Sequence, residues 1–359
     1  MRSDAGIQND KTLQRHVLES RPMADILPLG KLEPDLLRKS LERHRIEDSK
    51  VKVGPGIGED AAVIDVGGDD YLLLAADPIT FTPERIGWYA VHVNGNDIAA
   101  MGGTPQYFLS TVLLPEKRAT AKMVDCIFAD VAEACREIGC VPVGGHTEIA
   151  FGLDRPIVAG AMVGKVARDH LVTSSGAEPG DMLLLSKGIA IEATAILAQE
   201  KAEEVTQELG ATFQQKAAHF LQDPGISVLP ASRAACKNGK VNALHDPTEG
   251  GIANALWELA EASDVGIIVI ESEIPRYWES VQLARIFDVN LLGAIASGAL
   301  LIAVPEPDTS DVVKNLNEAS LEAQVIGRVV EKEQGVKMLI GSERVELPRY
   351  STDELTRVL

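Results

Sequence analysis

Aromatic side chains supply only 4% of the 359 residues, and cysteine occurs four times, at Cys126, Cys135, Cys140 and Cys236. No two of these stand in C-x-x-C spacing, which removes paired-thiolate zinc sites and the dithiol redox motif. They are expected as buried reduced thiols, in keeping with a cytoplasmic protein. Positive charge is scarce: 34 Lys and Arg face 53 Asp and Glu, for a formal charge of −19. A field of that sign repels a phosphate backbone, and no local basic cluster offsets it, so nucleic acid is excluded as a partner. Bound phosphate would need a metal ion or backbone N–H groups against its charge. Long apolar runs are missing too. The longest weakly polar stretch, Leu291 to Pro305, falls short of the ~20 residues that span a bilayer, and no membrane association is expected. The N-terminal region lacks the apolar segment of a signal peptide. Residues 1–25 are read as a flexible extension, partly helical around Leu13 to Leu18. Also absent are H-E-x-x-H, G-x-S-x-G and the Lys-Ser/Thr ending of a Walker A loop.

What is present suits two domains. The chain is 45% hydrophobic and 24% charged, the composition of a globular protein, and its length suggests two domains at ~150 residues each. Strands are expected over Ala61–Val66 and Tyr71–Ala76 around a Gly67-Gly68 turn, then a helix from about Pro83 to Met101. A strand from Gln106 to Leu114 and an amphipathic helix from Ala119 to Ile138 follow, the helix stopped by Gly139. Strands Val141–Val143 and Ile157–Val166 complete a first half. The second half alternates less regularly: a strand at Met182–Leu185, helical segments to about Lys237, a strand ending near His245, and a helix from about Gly250 to Ala262. Strands at Gly266–Ile270, Leu300–Val304, Gln324–Val330 and Val336–Ile340 follow, with a helix near Ser310–Ser320. Without strict βαβ alternation the fold class is α+β, or mixed α/β, with domains at 26–170 and 171–359. Ala161-Met-Val-Gly-Lys-Val166 is echoed by Gln324-Val-Ile-Gly-Arg-Val329, as two related lobes would produce.

Several acids occupy unusual positions. Asp60 opens an apolar strand, Asp77 closes Leu72-Leu-Leu-Ala-Ala76, and Asp246 closes Val241-Asn-Ala-Leu-His245. Asp97 sits on a helix whose apolar face, Val91, Ile98 and Met101, also carries the polar Asn94. Each is either a turn or cap residue or a ligand for a hard cation. Mg²⁺ takes one or two carboxylates with waters and phosphate oxygens, and clustered carboxylates need such a cation, a shared proton or separation. Three glycine-rich segments accompany them. Gly56 and Gly58 precede Asp60, in either an anion-binding loop or a plain connection. Gly144-Gly145-His146-Thr147-Glu148 reads as a turn after a strand, with His146 as base, ligand or structural residue. Asp246-Pro247-Thr248-Glu249-Gly250-Gly251 leads into a helix, where free N–H groups suit a phosphate and Asp246 or Thr248 suits an ordinary N-cap.

The order of these motifs resembles the aminoimidazole ribonucleotide (AIR) synthase-like superfamily, over about Leu27 to Leu347. The segments that carry the resemblance are Gly56-Ile-Gly-Glu-Asp-Ala-Ala-Val-Ile64, Ala76-Asp77, Asn96-Asp97-Ile-Ala-Ala-Met-Gly-Gly103, Gly144-Gly-His-Thr147 and Asp246-Pro-Thr-Glu-Gly-Gly251. The resemblance implies a two-domain fold that homodimerises through its N-terminal β-sheets. It also implies an ATP cleft, with Mg²⁺ held by Asp60, Asp77, Asp97 and Asp246. ATP or phosphate would contact Gly56, Gly58, Asn96, Gly144, Gly145, His146, Thr147, Thr248, Gly250 and Gly251. The activity implied is phosphate transfer from ATP to an amide, carboxylate or phosphate oxygen of a small molecule or partner protein, as in hydrogenase or metallocofactor maturation. The hydrogenase-maturation protein HypE is the nearest likeness, through Asp-Pro-Thr-x-Gly-Gly and Ser297-Gly-Ala-Leu-Leu-Ile-Ala-Val304. HypE carries a C-terminal tail cysteine that this sequence lacks after Cys236, so a separate acceptor is expected. Thiamine-monophosphate kinase, selenophosphate synthetase and a non-catalytic nucleotide-binding scaffold are the alternatives.

Overall fold

Alternating apolar residues, a pair of turn glycines and a helix with no polar face build the first half around one sheet. A computed structural model describes residues 26–359 apart from 81, 83 and 239; the expected helix near Leu13 and the proposed start at Pro83 lie outside the described residues. The chain opens with α1 (Pro34–Arg43), capped by the Glu33 carboxylate on the Leu36 N–H and without a buried residue. Strands β1 (Val51–Val53), β2 (Ala62–Ile64) and β3 (Asp70–Ala75) form an antiparallel ribbon, and β4 (Pro78–Ile79) follows Asp77. Then come α2 (Ile86–Ala100), β5 (Thr104–Pro115), α3 (Ala121–Ile138), β6 (Val141–Ala150) and β7 (Ile157–Ala167). The sheet order is β1-β2-β3-β7-β5-β6, with β4 on β7.

Helix α2 is buried along its whole length, so no amphipathic stripe applies; it is the seam of the molecule. One side packs on the first sheet. On the other, the Asn96 amide donates to the Ile226 carbonyl at 2.8 Å and accepts from the Val228 N–H at 2.9 Å, while Ser232 Oγ donates to the Ala99 carbonyl.

The second half contributes β8 (Met182–Ser186), α4 (Ile191–Glu200), α5 (Ala202–Leu209), α6 (Ala211–Ala218) and α7 (Leu229–Ala235). It continues with β9 (Ala243–His245), α8 (Gly251–Ala262), β10 (Gly266–Ile270), α9 (Trp278–Phe287), β11 (Leu300–Val304) and α10 (Thr309–Glu318). Strands β12 (Ala323–Val330), β13 (Val336–Ile340) and β14 (Glu343–Glu346) end it, in a sheet ordered β14-β13-β10-β12-β8-β11-β9. The internal echo has a structural counterpart: β7 and β12 are both inner strands, antiparallel to both neighbours.

Two expectations are corrected. The segment Gly144–Thr147 is no turn: β6 runs from Val141 to Ala150 through both glycines, parallel to β5. Glycine is needed there because the Ser110 backbone passes so close that a Cβ on Gly145 would stand 1.9 Å from its carbonyl oxygen. The thiols also divide. Cys135 and Cys140 are buried, Cys236 is partly covered and Cys126 is exposed. Among the described residues no helix is long and apolar enough to cross a membrane.

Candidate nucleotide and metal site

Three strand ends and one helix bring the four unusual aspartates together. Asp60 precedes β2, Asp77 links β3 to β4, Asp97 projects from α2, and Asp246 follows β9. All four line one cavity of about 330 Å³, with Gly56, Gly58 and Thr248. The local fold fixes each of them. Asn94, one turn before Asp97 on α2, accepts the Asp77 N–H at 2.8 Å and donates to the Asp77 carbonyl at 3.1 Å, so the strand end is pinned to the helix. Gly160 on β7 leaves room for that amide, since a Cβ would stand 2.3 Å from Asn94 Nδ2. Gly58 has φ +78° and a Cβ there would lie 2.5 Å from the Glu258 carbonyl oxygen, which lets the loop lie against α8.

Three side chains join the aspartates without a strong local sequence signal. His245 lies between two acids, with Nδ1 2.8 Å from Asp60 Oδ1 and Nε2 3.1 Å from Glu258 Oε2. Burial opposes its charge, but Asp60 and Glu258 overcome that and hold the imidazole well above its ordinary pKa. Lys31 reaches in from ahead of α1 to donate to Thr248 Oγ1 at 3.2 Å and Glu258 Oε1 at 3.0 Å. Burial of the ammonium is outweighed by Glu258, with Glu249 and Asp77 adding to it, so its pKa is raised. Its side chain is 42% exposed. Glu258 is pushed well below the usual carboxylate range, burial opposing and Lys31 and His245 prevailing. Of the three, His245 and Glu258 were visible as polar interruptions of apolar segments, whereas Lys31 had no such mark.

Asp246 is the most exacting residue. It is 2% exposed, and neither carboxylate oxygen has a hydrogen-bond partner. Burial, followed by repulsion from Asp60, drives its pKa well above the ordinary value; burial and repulsion from Asp77 and Asp246 do the same for Asp97. A buried carboxylate with two orphaned oxygens among three other acids is costly unless a cation completes it. These oxygen donors suit a hard divalent ion. Among the described residues no three acidic, histidine or cysteine side chains already converge as a protein-only metal cage.

Other sequence-derived candidates are placed elsewhere. The Asn96 amide is buried and joins α2 to residues 226–228 through one donated and one accepted hydrogen bond, and it does not line the aspartate cavity. The N-terminus of α8 is closed: Gly250, with φ +78°, is its cap, without a side-chain cap from Asp246 or Thr248. The Gly250 N–H donates to Asp353 Oδ2 at 2.9 Å, and the Gly251 N–H to the Thr248 carbonyl. Those two N–H groups are therefore not free for phosphate. Gly144, Gly145, His146 and Thr147 lie on the exposed strand β6, outside the aspartate cavity. There His146 pairs with Glu148 at 3.1 Å in solvent. A larger cavity of about 700 Å³ adjoins the aspartates, sharing Gly56, Ile57 and Glu59, and is edged by Trp257 under the Arg349 guanidinium.

The N-terminal domain model of AIR synthase related protein matches residues 58–166, and the C-terminal domain model matches residues 178–339. The chain is 27% identical over 369 residues to a selenide, water dikinase of Nitratidesulfovibrio vulgaris, covering 92% of this chain and 99% of that protein. It is 28% identical over 283 residues to the carbamoyl dehydratase HypE of Cupriavidus necator, covering 76% and 77%. A solved structure of AaThiL complexed with AMPPCP and TMP superposes with a TM-score of 0.67 at 26% identity, covering 88% of this chain and 94% of that one.

Proposed function

Since the chain belongs to the AIR synthase related protein family, we propose that it is a Mg²⁺-dependent, ATP-utilising phosphotransferase whose reaction centre is the aspartate cavity. The observation that carries this reading is the orphaned Asp246 carboxylate facing Asp60, Asp77 and Asp97. Asp77, Asp97 and Asp246 would hold the ion, and Asp60 would join them from its place against His245 and Ser174. Mg²⁺, when bound, would offset the charge of the triphosphate. The adjoining 700 Å³ cavity has the size of a nucleotide site.

Phosphoryl transfer asks the protein for positioning and charge neutralisation. The bond between the γ-phosphorus and the β,γ-bridging oxygen breaks, a bond to the acceptor oxygen forms, and ADP leaves. Lys31, oriented by Thr248 and Glu258, would supply an ammonium to the transferring group. The acceptor is an amide, carboxylate or phosphate oxygen of a small molecule or a partner protein, in keeping with hydrogenase or metallocofactor maturation.

The chain is further proposed to work as a homodimer. Strand β6 is exposed along nearly its whole length, and Val141, Val143 and Ile149 present apolar side chains there beside Phe151. A long apolar edge of this kind is a template for strand addition. A second copy would cover it and bring Gly144–Thr147 into an interface.

Product analysis with ATP and candidate acceptors tests the assignment. Acceptor-dependent ADP formation supports a phosphotransferase. AMP with two phosphates would indicate dikinase chemistry. Binding of ATP without turnover for any acceptor would indicate a scaffold.

A further inference from the structure

Beyond Asp77 and Lys31 lies a second chamber of about 240 Å³, which shares those two residues and Thr248 with the aspartate cavity. Its volume is that of roughly eight waters at ~30 Å³ each. Pro78, Ile79, Val93 and Ile295 give it apolar walls. Two polar side chains line it from the second half: Glu192 in the first turn of α4, and Ser297 just before β11. Glu192 is 4% exposed and Ser297 1%, and neither Glu192 Oε2 nor Ser297 Oγ has a hydrogen-bond partner.

An acid in a helical first turn is ordinarily a stabilising feature, favoured by the free N–H groups there. Glu192 does not fit that explanation. Burial raises its pKa to about 7, which outweighs any help from the helix end. The Ser297 hydroxyl is close enough to favour the charged form, but it completes no hydrogen bond. The charged groups that bear on Glu192 are the acids Asp353 and Glu249, which add to the effect of burial. A buried carboxylate with one unpartnered oxygen, beside an unpartnered hydroxyl in an apolar wall, matches a ligand that brings the missing donors.

We propose that this chamber is the acceptor subsite, and that Glu192 and Ser297 recognise a nitrogen-borne N–H group, as in an amine, amidine or amide, on an otherwise apolar fragment. The role of acceptor rests on the phosphoryl-transfer reading; the binding chemistry does not. A fragment held there lies beside Asp77 and Lys31, on the side of the aspartate cavity away from Asp60 and His245.

Ligand-observed NMR titration of the full chain tests this with benzamidine, benzyl alcohol and benzoate, each with and without Mg²⁺ and AMPPCP. The parent protein should bind benzamidine about tenfold more tightly than either isostere, the worth of one charge-assisted hydrogen bond. Glu192→Gln should lose that tenfold preference, and Ser297→Ala about threefold of it, with AMPPCP affinity kept within twofold in both. Equal binding of benzamidine and benzyl alcohol would overturn the proposal, as would an undiminished preference in a folded Glu192→Gln protein. If Glu192→Gln does not fold, Ser297→Ala decides. Benzamidine selectivity without nucleotide binding would keep the chamber and remove the nucleotide reading, and nucleotide binding without selectivity would do the reverse.

Discussion

Glu192 gives a stability prediction that needs no ligand. Its carboxyl is held at about 7 in the fold, chiefly by burial, against an ordinary value of 4.5. Below pH ~4.5 it is protonated in both folded and unfolded chains and costs nothing. As pH rises through that value the unfolded chain ionises first, and stability falls until the folded carboxyl ionises as well, near pH 7. At about 1.4 kcal/mol per pH unit, the loss totals about 3 kcal/mol, and roughly 2 kcal/mol of it falls between pH 5.5 and 8.5. That window avoids the region near the pI of about 4.8, where the protein is least soluble. Glu192→Gln removes the titration and keeps the shape. Denaturant unfolding of parent and variant at both pH values, without Mg²⁺ or nucleotide, should show the variant gaining about 2 kcal/mol on the parent at the higher pH. The amide's own burial cost is the same at both values and cancels from the difference. Parallel pH profiles for the two proteins would refute the argument that this carboxyl is buried without a partner.

Other outcomes follow from the same geometry. Asp246→Asn should stabilise the ion-free chain at neutral pH, because it removes an unpartnered carboxyl whose ionisation burial opposes, and should abolish stabilisation by Mg²⁺, which is worth about 2.7 kcal/mol at an ion concentration 100 times Kd; thermal scans with and without Mg²⁺ measure both, and a retained Mg²⁺ shift would contradict it. Lys31→Met should lower phosphoryl transfer by on the order of 10²-fold while changing AMPPCP affinity far less, and single-turnover rates beside binding isotherms separate the two. Ile149→Lys, on the exposed face of β6, should convert a dimer to a monomer in sedimentation equilibrium, whereas an unchanged mass would place the interface elsewhere.

The aspartates were legible because acids interrupt apolar patterns: Asp77 after five apolar residues and Asp246 at the end of a buried strand stand out without coordinates. Asn94 and Asn96 are the instructive pair. Both are polar residues on a wholly buried helix, and local pattern cannot say which faces the Asp77 strand end and which clamps residues 226–228. Glycine was ambiguous in a similar way. At Gly58 it allows a left-handed turn, but at Gly145 it admits a neighbouring backbone within a strand, and the two uses look alike in sequence. The remainder was hidden by distance along the chain. Asp353 closes the N-terminus of α8 from 103 residues away, and Lys31 reaches Thr248 across 217 residues. Helix α1 buries no residue completely, and its short stripe of Leu37 and Leu41 says nothing of what it lies against. Its residues, with those just before it, nevertheless form one wall of the aspartate cavity.

The most direct measurement is calorimetric titration of the protein with AMPPCP, with and without Mg²⁺, in the parent and in Asp246→Asn. The account predicts saturable binding that requires Mg²⁺ in the parent and is lost in the variant. Binding that is absent, indifferent to Mg²⁺, or unchanged by the substitution would contradict the assignment of the aspartate cavity as the site of metal and nucleotide.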